Sequence, residues 1–182
     1  MITLHLIRHG ETDGNRVSYI GRSDLVLNAV GCAQAEMVKE TLTNTRIDRI
    51  YSSPLLRARQ TAQPLAHARH LPVILDPDLM EIDFGQLEGQ PKTQQALSLR
   101  KAHLTVPLPG GESLAQVGAR VARFLDRLPA DASSIAIFGH YWTNRVLCAL
   151  LMPGHAYKPA NGAVLTLTLD RIPTGMMTVP AL

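Results

Sequence analysis

The chain has 182 residues, of which 46% are hydrophobic and 18% charged, with a net charge of only +3. That is enough for one α/β domain spanning residues 1–182, with a real core and no need of disulfides or metals to hold it. Aromatic residues make up 4% and the arginines are dispersed, so there is neither a basic run nor a stacking platform for nucleic acid. Part of the basic excess is free to line a pocket for an anionic small molecule. No apolar run reaches membrane-spanning length and no leader-like segment opens the chain, so no membrane partner is expected. Cys32 and Cys148 are far apart, each inside a predicted helix; both are expected to be reduced and buried, in keeping with a cytoplasmic address.

The first predicted element is an apolar strand, Ile2 to Ile7, that ends abruptly in Arg8, His9 and Gly10. A buried strand hands over to a ligand-binding loop in this way, because sites in α/β proteins lie beyond the carboxyl ends of parallel strands. Gly10 lets the backbone approach a ligand closely or take a turn closed to other residues. Asn28 is placed to cap a helix to about Leu42, with Ala33, Met37, Val38 and Leu42 as its buried stripe. Arg49 to Tyr51 reads as a strand. Ser53 then serves as N-cap and Pro54 as first residue of a helix that carries Arg57 one turn in, and Pro64 should kink or divide that helix. Pro72 to Leu75 is a third strand, closed by a turn at Asp76-Pro77-Asp78.

From Phe84 to about Ser113 the pattern loosens into glycines, prolines and one short polar helix, Thr93 to His103, which reads as a small insertion over the sheet edge. Glu112 to Leu128 is the strongest helix, with Leu114, Val117, Val121, Phe124, Leu125 and Leu128 at helical spacing. Ser134 to Phe138 is a short apolar strand ending in Gly139-His140, a helix follows from about Thr143 to Leu151, and Ala163 to Leu169 is the last strand. The tail after Arg171 is left as an edge strand or loose chain. Alternating strands and helices predict a three-layer α/β/α sandwich with a mainly parallel central sheet and a small insertion over the active site.

Polar residues follow three of these strands directly: Arg8 with His9, Ser53 to Arg57, and Gly139 with His140. One end of one sheet would then hold two arginines and two histidines, a set suited to phosphoryl transfer. That reaction needs an aligned nucleophile and positive charge around the equatorial oxygens. Arg8, Arg57 and a protonated His140 are the sources of charge. His9 is the nucleophile, provided its other ring nitrogen donates to a backbone carbonyl that fixes the tautomer. The leaving oxygen needs a proton from a carboxyl group whose pKa is raised.

Arg8-His9-Gly10-Glu11-Thr12 after an amino-terminal strand resembles the signature of the histidine phosphatase (phosphoglycerate mutase-like) superfamily. The resemblance runs over roughly residues 2–169. It implies that Arg8 binds phosphate, that His9 is the nucleophile and that Asn15 contacts phosphate. Ser52-Ser53-Pro54-Leu55-Leu56-Arg57-Ala58 with Thr61-Ala62 matches the second segment, which puts its catalytic arginine on Arg57. Leu79-Met80-Glu81 followed by Phe84-Gly85 and Glu88-Gly89 puts the proton donor on Glu81. Gly139-His140 with Arg145 puts the last phosphate-binding histidine on His140, and Pro109-Gly110-Gly111-Glu112-Ser113 is family-like too. The chain departs from the pattern at Tyr141-Trp142, where the family has glycine after its second histidine, and at Leu87, where tryptophan is common. Tyr141 and Trp142, with Asn15, are therefore assigned to substrate binding. Trp142 is expected above all to pack on the core.

Metal binding is the rival for a seven-histidine chain. His5 and His9 would sit about 13 Å apart on an extended strand, too far to share an ion. His67 and His70 have no evident third ligand, and no Cys-x-x-Cys or His-Glu-x-x-His pattern exists. No metal and no cofactor are expected. The reading is a phosphomonoester hydrolase acting on a small phosphorylated metabolite through a phosphohistidine on His9, with a homodimer left open. It is similar in length, compact insertion and motifs to alpha-ribazole phosphatases. The alternatives are a phosphoglycerate-type mutase, or a catalytically silent phospho-ligand or partner-binding protein.

Overall fold

A computed structural model describes residues 1–102, 106–107 and 109–173. Strand β1 (Ile2–Arg8) is followed by a short helix α1 (Asp13–Val17) and by α2 (Ala29–Thr41). Then come β2 (Arg49–Ser52), α3 (Leu56–Arg69), β3 (Val73–Leu75) and α4 (Gln94–Ala102). The second half contains α5 (Leu114–Asp126), β4 (Ser134–Gly139), α6 (Tyr141–Leu151) and β5 (Val164–Leu169). The five strands form one sheet in the order β3-β2-β4-β1-β5, with β5 antiparallel at one edge and the other pairs parallel.

Strand β4 is buried at all six positions, as a central parallel strand must be when helices cover both faces. Its side chains alternate between two cores. Ile135 and Ile137 join Leu4 and Leu6 against Val117, Val121 and Phe124 of α5 and Val146 and Leu147 of α6. Ala136 and Phe138 join Ile7 and Ile50 against Val38 of α2 and Ala62 and Leu65 of α3. The result is the three-layer sandwich expected from the alternating pattern. No helix among the described residues is long and apolar enough to cross a membrane.

Register is what assembles the site. Arg8 pairs with Gly139, and Ser52 pairs with Phe138, so β1, β2 and β4 end level with one another. The pairing continues past the strands: His9 N–H donates to the Gly139 carbonyl at 3.0 Å and Ser53 N–H to the Phe138 carbonyl at 2.9 Å. His9, Ser53 and His140 are thereby delivered side by side.

Several local expectations are corrected. Asn28 does cap α2, its side chain accepting from Gly31 N–H at 2.9 Å. Of the expected stripe, Val38 and Leu42 are buried against the sheet, whereas Ala33 and Met37 point to solvent and Cys32 is exposed. Gly31 and Ala35 complete the buried face in their place, because small residues let this part of α2 approach closely; Cys148 is buried as expected. Helix α3 starts at Leu56, not Pro54. Ser53 is engaged elsewhere, and Asp24 from a distant loop accepts the Leu56 N–H at 2.5 Å in place of a local cap. Pro64 does not divide α3, since Ala62, Leu65 and Ala66 on either side of it are packed into the core. Helix α6 begins at Tyr141, two residues early, and α5 starts at Leu114 behind a capping box of Ser113 and Gln116. Of the expected polar helix, Gln94–Ala102 is formed and its end at His103 lies outside the described residues, as does the tail from residue 174.

Candidate active site

A cavity of about 320 Å³ opens at the carboxyl ends of these strands, with Arg8, His9 and Glu81 on its floor. Asn15, Ser18 and Tyr19 line one side, Phe84, Lys92 and Leu97 the insertion side, and Tyr141 and Trp142 the start of α6.

His9 is buried, and its Nδ1 lies 2.6 Å from the carbonyl oxygen of Gly10. A carbonyl only accepts, so Nδ1 carries the proton and the neutral ring keeps its lone pair on Nε2. Nε2 in turn lies 3.3 Å from Nε of Arg57, a group that can only donate. The condition set on His9 from sequence is met: Nδ1 donates to a backbone carbonyl, and the tautomer leaves the lone pair on Nε2. Burial and the guanidiniums of Arg57 and Arg8 hold the imidazole pKa well below its ordinary value, so His9 stays neutral.

Thr61 holds this loop in place, its hydroxyl accepting from Gly10 N–H at 2.9 Å and donating to the Arg57 carbonyl at 2.7 Å. Gly10 does not take the left-handed backbone that would demand glycine. A Cβ there would collide with the carbonyl of Gly31, so its smallness lets the loop pack against the first turn of α2.

Arg57 is fully enclosed. Its Nη1 donates to the Ser23 carbonyl at 2.7 Å and its Nη2 to the Gly21 carbonyl at 2.8 Å. Arg8 donates through Nη1 to the Pro159 carbonyl at 2.9 Å, and its guanidinium lies 5.3 Å from the centre of the Tyr141 ring. The Tyr141 ring also takes the guanidinium of Arg145 at 5.5 Å, and Trp142 takes it at 4.7 Å. Trp142 is buried, and Tyr141 stands against the cavity, so the pair forms a wall and leaves the floor open.

His140 faces His9, with ring centres 5.0 Å apart, and its Nε2 lies 2.8 Å from the Ser53 hydroxyl. Burial, with Arg57 next, pushes its pKa well below the ordinary value. Without an anion, His140 is therefore held neutral. A phosphoryl group would oppose the positive field of Arg57 and Arg8 and so favour the proton.

Glu81 is buried, and its carboxylate accepts from Ile82 N–H at 2.9 Å and from Trp142 N–H at 3.1 and 3.2 Å. It is thus the acceptor at the N-terminus of α6. Burial pushes its pKa up, against the pull of those N–H groups, Arg57 and Arg8. The raised carboxyl expected of a general acid is present before any ligand arrives, with desolvation as its first cause.

Asn15 lines the cavity but also closes its own turn, its Oδ1 accepting from Thr12 N–H at 2.7 Å. Its Nδ2 donates to Asn161 at 3.2 Å, and Asn161 donates to the His9 carbonyl at 2.9 Å. Asn161 was not picked out from sequence, and Ser53 was read as a helix cap and a polar residue after β2, not as the partner of His140. Ser53 directly follows a strand, which was the available signal; Asn161 lies in a Pro-Ala-Asn-Gly turn that marks only a loop. Also missed was a buried ionic group behind Glu81. Arg120 donates to the Glu81 carbonyl at 3.2 Å and to Glu112 at 3.0 Å, and Glu112 also takes Arg22 at 3.0 Å.

Among the described residues, the remaining histidines do not gather. His5 bonds Thr166 at 2.9 Å and Ser134 at 3.2 Å, and His67 bonds Gln63 at 2.7 Å. Among the described residues there is no group of three or more His, Cys, Asp or Glu side chains placed to hold a metal ion.

The chain has known relatives in sequence and in fold. The model of the histidine phosphatase superfamily (branch 1) matches residues 4–171. A probable phosphoglycerate mutase, GpmB, of Yersinia pestis (strain Pestoides F) is 34% identical over 170 residues, which cover 87% of this chain and 79% of that one. The alpha-ribazole phosphatase of Shigella flexneri superposes with a TM-score of 0.81 at 27% identity, covering 99% of this chain and 96% of that one. A mycobacterial glucosyl-3-phosphoglycerate phosphatase in complex with VO3 superposes with a TM-score of 0.80 at 26% identity, covering 92% and 93%. With the family match spanning nearly all of the sheet and every strand end that builds the cavity, the chain belongs to the histidine phosphatase superfamily, branch 1.

Proposed function

We propose that the protein is a phosphomonoester hydrolase that works through a phosphohistidine on His9. The observation that carries this reading is the His9 tautomer: Nδ1 is tied to the Gly10 carbonyl, and the Nε2 lone pair sits beside Arg57 on the cavity floor. In the first half-reaction Nε2 forms a bond to phosphorus, the phosphorus–oxygen ester bond breaks, and Glu81 gives its proton to the leaving oxygen. Arg8, Arg57 and His140 hold the equatorial oxygens, with Asn15 beside them. In the second, ionised Glu81 takes a proton from water as its oxygen attacks phosphorus, and the nitrogen–phosphorus bond breaks to free His9. Tyr141 and Trp142 form the wall against which the leaving group lies. No step draws on a metal or cofactor.

A second reading has one observation in its favour, the likeness to a probable phosphoglycerate mutase. A mutase returns the phosphoryl group to another oxygen of its substrate and must keep water out. The roughly 30 residues from Phe84 to Ser113 are a short stretch for that task, and this supports hydrolysis. Rapid quench with a labelled phosphomonoester tests the chemistry: label should appear on His9 in an acid-labile, base-stable form and leave as inorganic phosphate. Isomerised phosphoglycerate in place of inorganic phosphate would establish the mutase. Vanadate binding without turnover of any phosphomonoester would point to a silent phospho-ligand protein.

A further inference from the structure

Glu88 is not among the residues lining the cavity and has no part in the reaction described above. Its surroundings are nevertheless unusually well ordered around one purpose. Its carboxylate accepts from the N–H groups of three consecutive residues, Gly21 at 2.9 Å, Arg22 at 3.4 Å and Ser23 at 3.0 Å, and from the Ser23 hydroxyl at 2.6 Å. Gly21 has to lack a side chain here, because a Cβ would collide with the carbonyl of Ile82 and with the Glu88 carboxylate. The carbonyls of the same loop, those of Gly21 and Ser23, are the acceptors for the two Nη groups of Arg57. Arg57 then presents Nε to Nε2 of His9.

We propose that Glu88 is a positioning residue for phosphoryl transfer: by gathering the N–H groups of residues 21–23 it turns the carbonyls of Gly21 and Ser23 onto Arg57 and aims that guanidinium at His9. A plain anchoring role for the carboxylate is already filled by the backbone. Gly89 N–H donates to the Tyr19 carbonyl at 2.8 Å, Tyr19 N–H to the Gln90 carbonyl at 3.0 Å and Lys92 N–H to the Val17 carbonyl at 2.9 Å, so the two segments are laced together without Glu88. What the carboxylate adds is the orientation of the loop's peptide planes, and a negative charge near a guanidinium that is otherwise enclosed. Peptide carbonyls with their N–H groups tied to an anion are also better acceptors, because hydrogen bonds in series polarise one another.

As to the reaction affected, the proposal rests on the phosphohistidine reading, but the geometry it concerns can be measured without turnover. The test uses full-length protein with ¹⁵N-labelled arginine and follows hydrogen exchange at Arg57 Nε–H. Glu88→Gln keeps the size and one acceptor oxygen and removes the charge; Ser23→Ala removes a single contact and serves if the first variant folds poorly. Exchange at Arg57 should accelerate in both, more in Glu88→Gln, while Arg8 serves as the internal control. With an aryl phosphate, kcat of Glu88→Gln should fall by roughly 10- to 100-fold and KM by far less, the size of loss that follows a small misplacement of a transition-state group. In an Arg57→Ala background, Glu88→Gln should add little, since a residue that acts only through Arg57 has nothing left to act on. Unchanged exchange at Arg57 in both variants, or fully additive losses in the double variant, would overturn the proposal. If the unaltered protein hydrolyses no phosphomonoester, it is the phosphohistidine reading that fails, and the exchange measurement still decides whether Glu88 aims Arg57.

Discussion

His9, Arg57 and His140 are enclosed at the ends of three paired strands, whereas on the insertion side of the same cavity residues 91–95 and Ser98, leading into and along α4, are exposed and Ala96 alone of residues 91–98 is buried. At these strand ends, three functional groups each have a partner that dictates their direction: the Gly10 carbonyl for His9, two loop carbonyls for Arg57, and the Ser53 hydroxyl for His140. On the insertion side, Leu97 is half-buried and Phe84 packs on Tyr19, ring centres 5.4 Å apart. On the proposed reading, orientation is therefore built into the part that would do the same chemistry whatever the substrate, and adaptable contact into the part that would meet the leaving group. Reactions in which a misplaced group costs much are run on strand ends held in register, while selectivity is left to a segment that can vary without disturbing them.

The sharpest way to break this contrast is on the floor. His9→Ala should abolish label incorporation and cut turnover by on the order of 10⁴-fold or more, since nothing else on the floor offers an unprotonated nitrogen so aligned. Residual activity near that of the unaltered protein would remove His9 from the reaction. Glu81→Gln comes next. The amide oxygen can still accept from Trp142 N–H at the start of α6, so the fold should survive while the proton is lost. The phosphorylating step should slow by about 10²–10⁴-fold with an alkyl or sugar phosphate, and much less with an activated aryl phosphate whose leaving oxygen needs no proton. Equal slowing with both would mean that Glu81 only shapes the cavity.

Burial of the floor also has a cost that pH exposes. His9 and His140 are held well below their ordinary value of 6.5, so below about pH 6.5 the unfolded chain binds protons that the native state refuses. Stability should be full above that pH and be lost as pH falls, by up to roughly 1.4 kcal/mol per pH unit for each histidine. His5, lowered by burial, acts with the same sign. Glu81 acts with the opposite sign: its raised native pKa means that the folded state keeps a proton the unfolded chain releases, which offsets part of the loss above its ordinary value of 4.5. Urea midpoints from pH 7.5 to 5.5 should therefore fall, and fall less steeply in His140→Gln, which cannot titrate. An identical slope in that variant would mean that His140 binds its proton equally well in the native and the unfolded chain.

How much of this could be read in advance follows the same division. The ends of β1, β2 and β4 were legible because an apolar run followed at once by Arg8-His9, Ser53 or Gly139-His140 is a local signal, and the parallel pattern places such ends together. The Asn28 cap was legible for the same reason. What escaped were contacts between loops far apart in the chain: Asp24 at the start of α3, Asn161 behind His9, Arg120 behind Glu81, and Glu88 on residues 21–23. No periodicity marks a carboxylate that caps a distant helix or loop. Even within α2 the stripe was half legible: Val38 and Leu42 are buried, but Gly31 and Ala35 take the places given to Ala33 and Met37, which stay outside. Size complementarity at a helix–sheet contact is a property of both partners, and only one of them is visible in a local pattern.

The smallest expected effect lies on the insertion side and tests whether that wall governs substrate choice alone. Leu97 is half-buried in α4 and faces the cavity opposite Tyr141 and Trp142 only as one contributor among several. Leu97→Ala removes apolar contact worth about 1 kcal/mol at such partial burial, or roughly fivefold in an equilibrium constant. If the leaving group lies against this wall in ground state and transition state alike, the loss should appear in KM, with kcat unchanged. It should also scale with the leaving group, being largest for a bulky apolar ester and absent for a phosphomonoester too small to reach α4. The rate of dephosphorylation should not move at all, since by then the leaving group has departed and only the floor is in use. A fall in kcat that is the same for every ester would show that α4 props up the floor, and the separation between orienting floor and adaptable wall would have to be given up.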